Sequence, residues 1–530
     1  MPSRRSFLKS GLATAALTVS RRSSASGEAV SPAINAGAND LTLFAFDDHS
    51  IPWRDNLKLT LVQATKHPVN PVLRCGPEGS PDGVSATIYG TVLQIDGRFR
   101  MWYLANPNKR RSEKPPTLRR SMCYAESDDG IHWTKPELGL VEFNGSTRNN
   151  ICRIESDPAS LSGVDDFISV LYEPNDPDPS RRYKLAFISH PPFNEVRGGR
   201  SKIGPQAGWN ASVTATSADG WSWKVAGDRP MNSGGEPFEV SGLVRFKGFY
   251  YATGQLFSPW TWQPDGRAVD NVMLVYRSPD FIRWSRSHAF AFARSGQLLG
   301  TPIYGQRTHM GAGLWNRGNV LIGLFGQWQD GPPDNSKGLE AYRNVRIDLG
   351  LMLSNDGIHF REPVTDFKVI PRGEKGEWDA FCVLQGSAFA NVGEQTYIWY
   401  SHWDPEFLNR SEEIGLATLR RDGFGYLSRK FREAPGHAVT DLLIAQPGAK
   451  LHVNIDEVSP DAPFTVELLD AKDEPIAGFS GSEAVRITSP GVRQAISWPQ
   501  PLPPRFAVKL SFPENGEARL YALYLSHEAA

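Results

Sequence analysis

The chain has 530 residues, too long for one ordinary core and long enough for one large repeat domain with a smaller companion. Lysine and arginine number 57 against 58 acidic residues, a formal charge of -1, so no global field recruits nucleic acid or anionic lipid. Aromatic residues make up 11%, beside 49 Gly and 40 Pro, a mixture that suits many short strands joined by tight turns and predicts an all-β protein.

Residues 1–29 begin with "SRRSFLKSGLATAALTVS", in which Arg4, Arg5, Phe7, Leu8 and Lys9 precede an apolar run from Leu12 to Val19. This is the pattern of a twin-arginine signal peptide, with small residues near Ala25 as a cleavage site, and it predicts a periplasmic or extracellular protein. The apolar run is too short to span a bilayer and no other stretch is long enough. Residues 30–66 read as a leader. Cys75, Cys123, Cys152 and Cys382 lie far apart without CxxC spacing, so they read as buried thiols or at most one or two disulfides.

From 67 to 435 one phrase recurs: "YAESDDGIHW" (124–133), "TATSADGWSW" (214–223), "YRSPDFIRW" (276–284) and "LMLSNDGIHF" (351–360), with a looser copy, "LATLRRDGFGYL", around Asp422. Each copy reads as a strand, an Asp-centred turn and an aromatic that packs between units, so Asp129, Asp219, Asp280 and Asp356 are read as structural. A second hairpin lies upstream of each copy, for example "VSGLVRFKGFYYATGQ". Two hairpins make a four-stranded sheet, and five such sheets bury both faces when arranged radially, which predicts a five-bladed β-propeller. A tandem of β-sandwiches would account for the strands but not for the fivefold phrase. Beyond 436 the chain turns to short alternating strands such as "KLHVNID" and "RFAVKLSFP", read as a C-terminal accessory β-sandwich over 436–530.

The first strand of each propeller blade lines the central channel, so polar residues at its start converge from distant parts of the chain. Those starts carry Asp82; Asp165 and Asp166; Glu236 and Glu239; Arg307 and His309; and Glu377 and Asp379. Carboxyls crowded in one pocket acquire split pKa values, one protonated and one ionised, which is what glycosidic bond cleavage requires. Arg307, His309 and Asp379 are read as substrate-binding groups, and Trp102 and Trp403 as faces on which a sugar ring can rest.

The "SxDGxxW" turns and "HPVNPVL" at 67–73 resemble the five-bladed β-propeller glycoside hydrolases of families 32, 43 and 117, over roughly residues 67–430. That resemblance implies an exported glycoside hydrolase acting on an oligo- or polysaccharide. "EVSGLVRFKGFYYATGQ" is similar to the family 43 segment that carries the general acid, which falls on Glu239, and "DDFISVLYEPND" to the segment carrying a pKa-tuning aspartate, which favours Asp166. Asp82 takes the base or nucleophile role by position alone, because the Asn-Asp-Pro-Asn-Gly and Asp-Pro phrases of these families are missing. Resemblance to family 117 would give His309 an acid role. No cofactor is expected; such propellers sometimes hold calcium, but no ligand spacing names a metal site here. The alternatives are a non-catalytic glycan-binding propeller and a protein-interaction scaffold.

Overall fold

Alternation of apolar residues and the turn phrases produce strands almost throughout a computed structural model that describes residues 34–35, 40–107, 120–155, 164–189, 211–227, 230–233, 238–256, 260–261, 268–269, 272–294, 307–329, 345–404 and 412–527. The twin-arginine segment lies outside these residues. The described elements are all β apart from short 3-10 turns.

Five antiparallel meanders follow one another. Their first strands are Ser85–Ile95, Val164–Tyr172, Phe238–Phe246, Arg307–Asn316 and Ser387–Val392. These five inner strands pack in cyclic order, each on the next, and the fifth returns to the first through parallel pairing of Ser387 with Thr91 and Ala388 with Val92. With a further parallel pair, Ile347 with Cys382, three of the meanders are stitched into one 12-stranded sheet. The outer edge of the fifth meander is supplied by Thr65–Lys66, which pairs with Ala417 and Thr418, so a strand from the N-terminal side completes that meander.

The recurring phrase is explained by two sets of bonds. Ser127 and Asp129 fold the first copy: Asp129 Oδ1 accepts from the backbone N–H of Ile131 and of His132, both at 2.8 Å. Asp219, Asp280 and Asp356 repeat the arrangement. Burial alone would raise the Asp356 carboxyl, but bonds from His359, Ile358 and Ser354 hold it at about 2. The residue after each Asp has positive φ, which Gly130, Gly220 and Gly357 meet freely and Phe281 adopts at 68°. The bare glycine also admits a neighbouring aromatic: Trp102 donates from its indole to Gly220 O at 2.7 Å, and Trp399 to Gly130 O at 2.9 Å. The second strand of one meander thus docks on the turn of the next.

The looser copy behaves differently. Arg420 stands where the other copies have Ser, so no serine braces the turn. Asp422 is instead fully buried and clamped by Asn391, Arg317 and the Tyr524 hydroxyl. The strand that follows, Gly425–Arg429, leaves the ring and pairs with Leu57–Leu61.

Two further sheets, one of seven strands and one of six, share a core that includes Leu43, Val453, Phe464, Val508 and Leu523. They include strands from both ends of the chain: Leu41–Phe44 pairs with Arg519–His527, and Trp53–Asp55 with Gly436–Val439. Ala33–Ala530 forms one unit.

Candidate functional site

Near the amino-terminal ends of the inner strands, side chains from all five meanders meet. Glu239, partly exposed on inner strand three, accepts a 2.7 Å hydrogen bond from Gln255 Nε2. The other end of that amide, Gln255 Oε1, accepts from Met310 N of inner strand four at 2.8 Å. Inner strand four bulges here: Met310 has φ 65° and the pairing jumps between His309 and Gly313. Gly311 permits the approach, since a Cβ there would stand 2.2 Å from Ser241 Oγ.

His309, 6% exposed, has Nε2 at 3.5 Å from the Tyr89 hydroxyl of inner strand one. Its ring lies 5.1 Å from that of Trp328, which in turn is 6.5 Å from Trp403. Tyr89 packs at 4.0 Å on Phe167, which sits with φ 42° at the bulge of inner strand two. From the fifth meander, Gln385 Nε2 donates to the carbonyls of His309 and Gly311, at 3.0 and 2.8 Å. Gln385 Oε1 is buried without a protein donor. Bulges re-aim side chains, and here those of inner strands two and four carry Phe167 and His309, around which Tyr89, Trp328 and Trp403 are gathered, while Gln255 ties the Glu239 carboxylate to the second of these bulges. Such a set can exchange a proton with a bound hydroxyl or ether oxygen while an apolar ring face rests on the aromatics.

Of the residues singled out from sequence, Glu239, His309 and Trp403 therefore come together. Arg307 and Asp166 belong to inner strands whose backbones are paired, with Trp328 and Ile188 respectively, but their side chains lie outside the described residues, as do that of Asp165 and all of Glu236.

Asp82 and Asp379 are buried at 2% and 1% exposure in two copies of one arrangement. The Tyr103 hydroxyl donates to Asp82 Oδ2 at 2.8 Å, and Lys135 Nζ stands 2.5 Å from the same oxygen. The Tyr400 hydroxyl donates to Asp379 Oδ2 at 2.9 Å, with Lys66 Nζ at 2.7 Å. In both cases the tyrosine lies 21 residues beyond the aspartate. Burial, with the adjacent carboxylate adding to it, pushes both phenols up. Each carboxylate already has its cation and its donor. Trp102 requires a correction: it is fully buried between Tyr124 and Tyr183 with its N–H spent on Gly220, so no face is open to a sugar.

Sequence reasoning missed Gln255, Gln385, Tyr89 and Phe167, none of which stands in a recognisable pattern. It also missed Glu412, buried against inner strand one, from which Thr87 Oγ1 donates to its carboxylate; the paired acids of "SEEIGL" were the available signal. Next to it, His402 is pushed down to about 4 by burial, against the pull of Asp379 and Asp404. Its Nδ1 accepts from Glu413 N at 3.1 Å, which the neutral ring alone can do. Among the described residues no group of three or more His, Cys, Asp or Glu could hold a metal ion, and no helix is long and apolar enough to cross a membrane.

The sequence matches no protein-family model. Two uncharacterized proteins of Mycobacterium tuberculosis, from two strains, are each 29% identical over 110 residues, 20% of this chain, which spans 34% of their length. Among solved structures, a glycosyl hydrolase from Bacteroides ovatus is 13% identical and covers 68% of this chain and 94% of its own, with a TM-score of 0.42. A β-1,2-mannobiose phosphorylase from Listeria innocua is also 13% identical, over 67% and 96% of the two chains, with a TM-score of 0.40. A member of the GH130 family of mannoside phosphorylases is 12% identical over 68% and 94%, again with a TM-score of 0.40. The chain is thus similar to glycoside hydrolases and phosphorylases in outline, at scores too low to transfer a family, an activity or a residue role.

Proposed function

We propose that the protein is an exported glycoside hydrolase, a five-bladed β-propeller followed by a β-sandwich, with Glu239 as the group that protonates the leaving glycosidic oxygen. The observation that carries this reading is the chain of contacts that links Glu239 through Gln255 to the His309–Met310 bulge, and His309 to the rings of Trp328 and, through it, Trp403. The Gln255 amide, donating to the carboxylate at 2.7 Å, fixes the orientation of Glu239. His309 stands close enough to the same place to bind a sugar hydroxyl. The second carboxyl falls on Asp166 in this reading, because Asp82 is neutralised by Lys135.

The test is a screen of the mature protein against polysaccharides and aryl glycosides, followed by Glu239→Gln on any substrate found. Loss of a general acid lowers kcat by about 10²- to 10⁴-fold. Unchanged turnover in a folded Glu239→Gln protein would sink the assignment. The Lys135–Asp82 pair also favours a second reading, a glycan-binding propeller without turnover, in which a glycan binds at this mouth and the Glu239→Gln change alters affinity alone.

A further inference from the structure

A cavity of about 640 Å³ opens at the other end of the same five inner strands. Glu239 and Val244 lie on one strand five residues apart, so this cavity is about 17 Å of extended chain from the candidate site. Val92, Val170, Leu243 and Leu314 from four inner strands line it, beside Thr91 and Ser387. Its rim carries three arginines, Arg317, Arg421 and Arg493.

The three are not equally engaged. Arg317 is clamped on buried Asp422 at 3.1 Å and lies 4.2 Å over the Trp315 ring. Arg493 stands 3.6 Å from Asp40 and 5.2 Å from the Tyr524 ring. Arg421 donates from Nη1 to Gly393 O at 2.9 Å, and among the described residues no carboxylate lies within ion-pairing distance of it. Three guanidiniums thus face two carboxylates, leaving a surplus positive charge in a cavity that also presents apolar side chains from four strands. The volume falls within the range of about 300–1,000 Å³ typical of small-molecule sites.

We propose that this lower mouth binds a small organic carboxylate, its carboxyl paired in fork geometry with Arg421 and its body resting on the strand-end side chains. A sugar acid and an aryl carboxylate share this chemistry. The inference is independent of the role given to Glu239, which lies at the opposite end of the ring.

Calorimetric titration of the whole protein at low salt tests it, with glucuronate, benzoate, glucose and inorganic sulfate as probes. At least one carboxylate should bind saturably and more weakly as salt rises, while glucose does not bind at this site; glucuronate against benzoate identifies the source. Arg421→Gln should weaken binding about tenfold or more, Arg421→Lys should weaken it less, and Glu239→Gln should leave it unchanged. The Lys variant serves if the Gln variant fails to fold. Absence of saturable binding by either carboxylate, equal binding by Arg421→Gln, or loss of binding in Glu239→Gln would each overturn the proposal. Sulfate binding as tightly as both carboxylates would reduce the site to a simple anion contact and overturn the carboxylate assignment.

Discussion

Replacing Asp82 by Asn separates a structural carboxylate from a catalytic one. The side chain is 2% exposed and accepts from the Tyr103 hydroxyl at 2.8 Å and from Ser80 at 3.1 Å, with Lys135 at 2.5 Å. Removing one partner of a fully buried ion pair costs about 3–5 kcal/mol, but the Lys135 side chain is 26% exposed and water relieves its stranded charge, so about 1–2 kcal/mol is expected here. The hydrogen bond from Tyr103 falls from a charge-assisted to a neutral one, a further loss of about 1 kcal/mol. The total, about 2–3 kcal/mol, should appear as a lower urea midpoint followed by tryptophan fluorescence, since Trp102 shares a strand with Tyr103. Asp379→Asn should lose a similar amount, because Lys66 is 25% exposed and Tyr400 donates at 2.9 Å in the twin arrangement. An Asp82→Asn protein with the wild-type midpoint would refute the structural reading, and if that protein were also inactive, the catalytic assignment of Asp82 would be restored.

Gly386→Ala places a Cβ 2.2 Å from Ile88 O between neighbouring inner strands, a backbone contact that cannot yield, so soluble expression or the unfolding midpoint should drop sharply. Folding depresses the His402 pKa from 6.5 to about 4, so the unfolded chain binds the extra proton between those values and stability falls as pH is lowered through that window. The fall is bounded at about 3 kcal/mol, and His402→Gln should flatten the stability profile between pH 6.5 and 4; an unchanged profile would show that the ring titrates freely. All four thiols are buried and none forms a disulfide among the described residues, and burial raises those of Cys123, Cys152 and Cys382, so a thiol reagent should modify them only on unfolding; rapid native labelling would contradict the packing.

The strands and turns were legible in the sequence because their causes are local. A Ser two residues before an Asp, followed by Gly, writes its own hydrogen bonds wherever it stands, and even the copy that ends in Phe281 keeps the backbone shape. Glu239 and His309 could be singled out because polar residues at the start of an inner strand have few structural reasons to be there. What the local pattern could not decide was company. Asp82 and Asp379 look from sequence like Glu239, yet each meets a lysine from elsewhere, Lys135 53 residues after Asp82 and Lys66 of the strand Thr65–Lys66, and that charge pairs with each carboxylate. Gln255 and Gln385 became site residues only through bulges that bring separate strands within 3.0 Å. Asp422 changed from turn to clamp because Arg317 and Tyr524 arrive from other elements. Sequence alone determined the repeat unit and its turns, since neighbours within four residues suffice for them; the tertiary structure, which brings distant side chains together in a low-dielectric interior, decided that Asp82 and Asp379 meet lysines while Glu239 meets an amide.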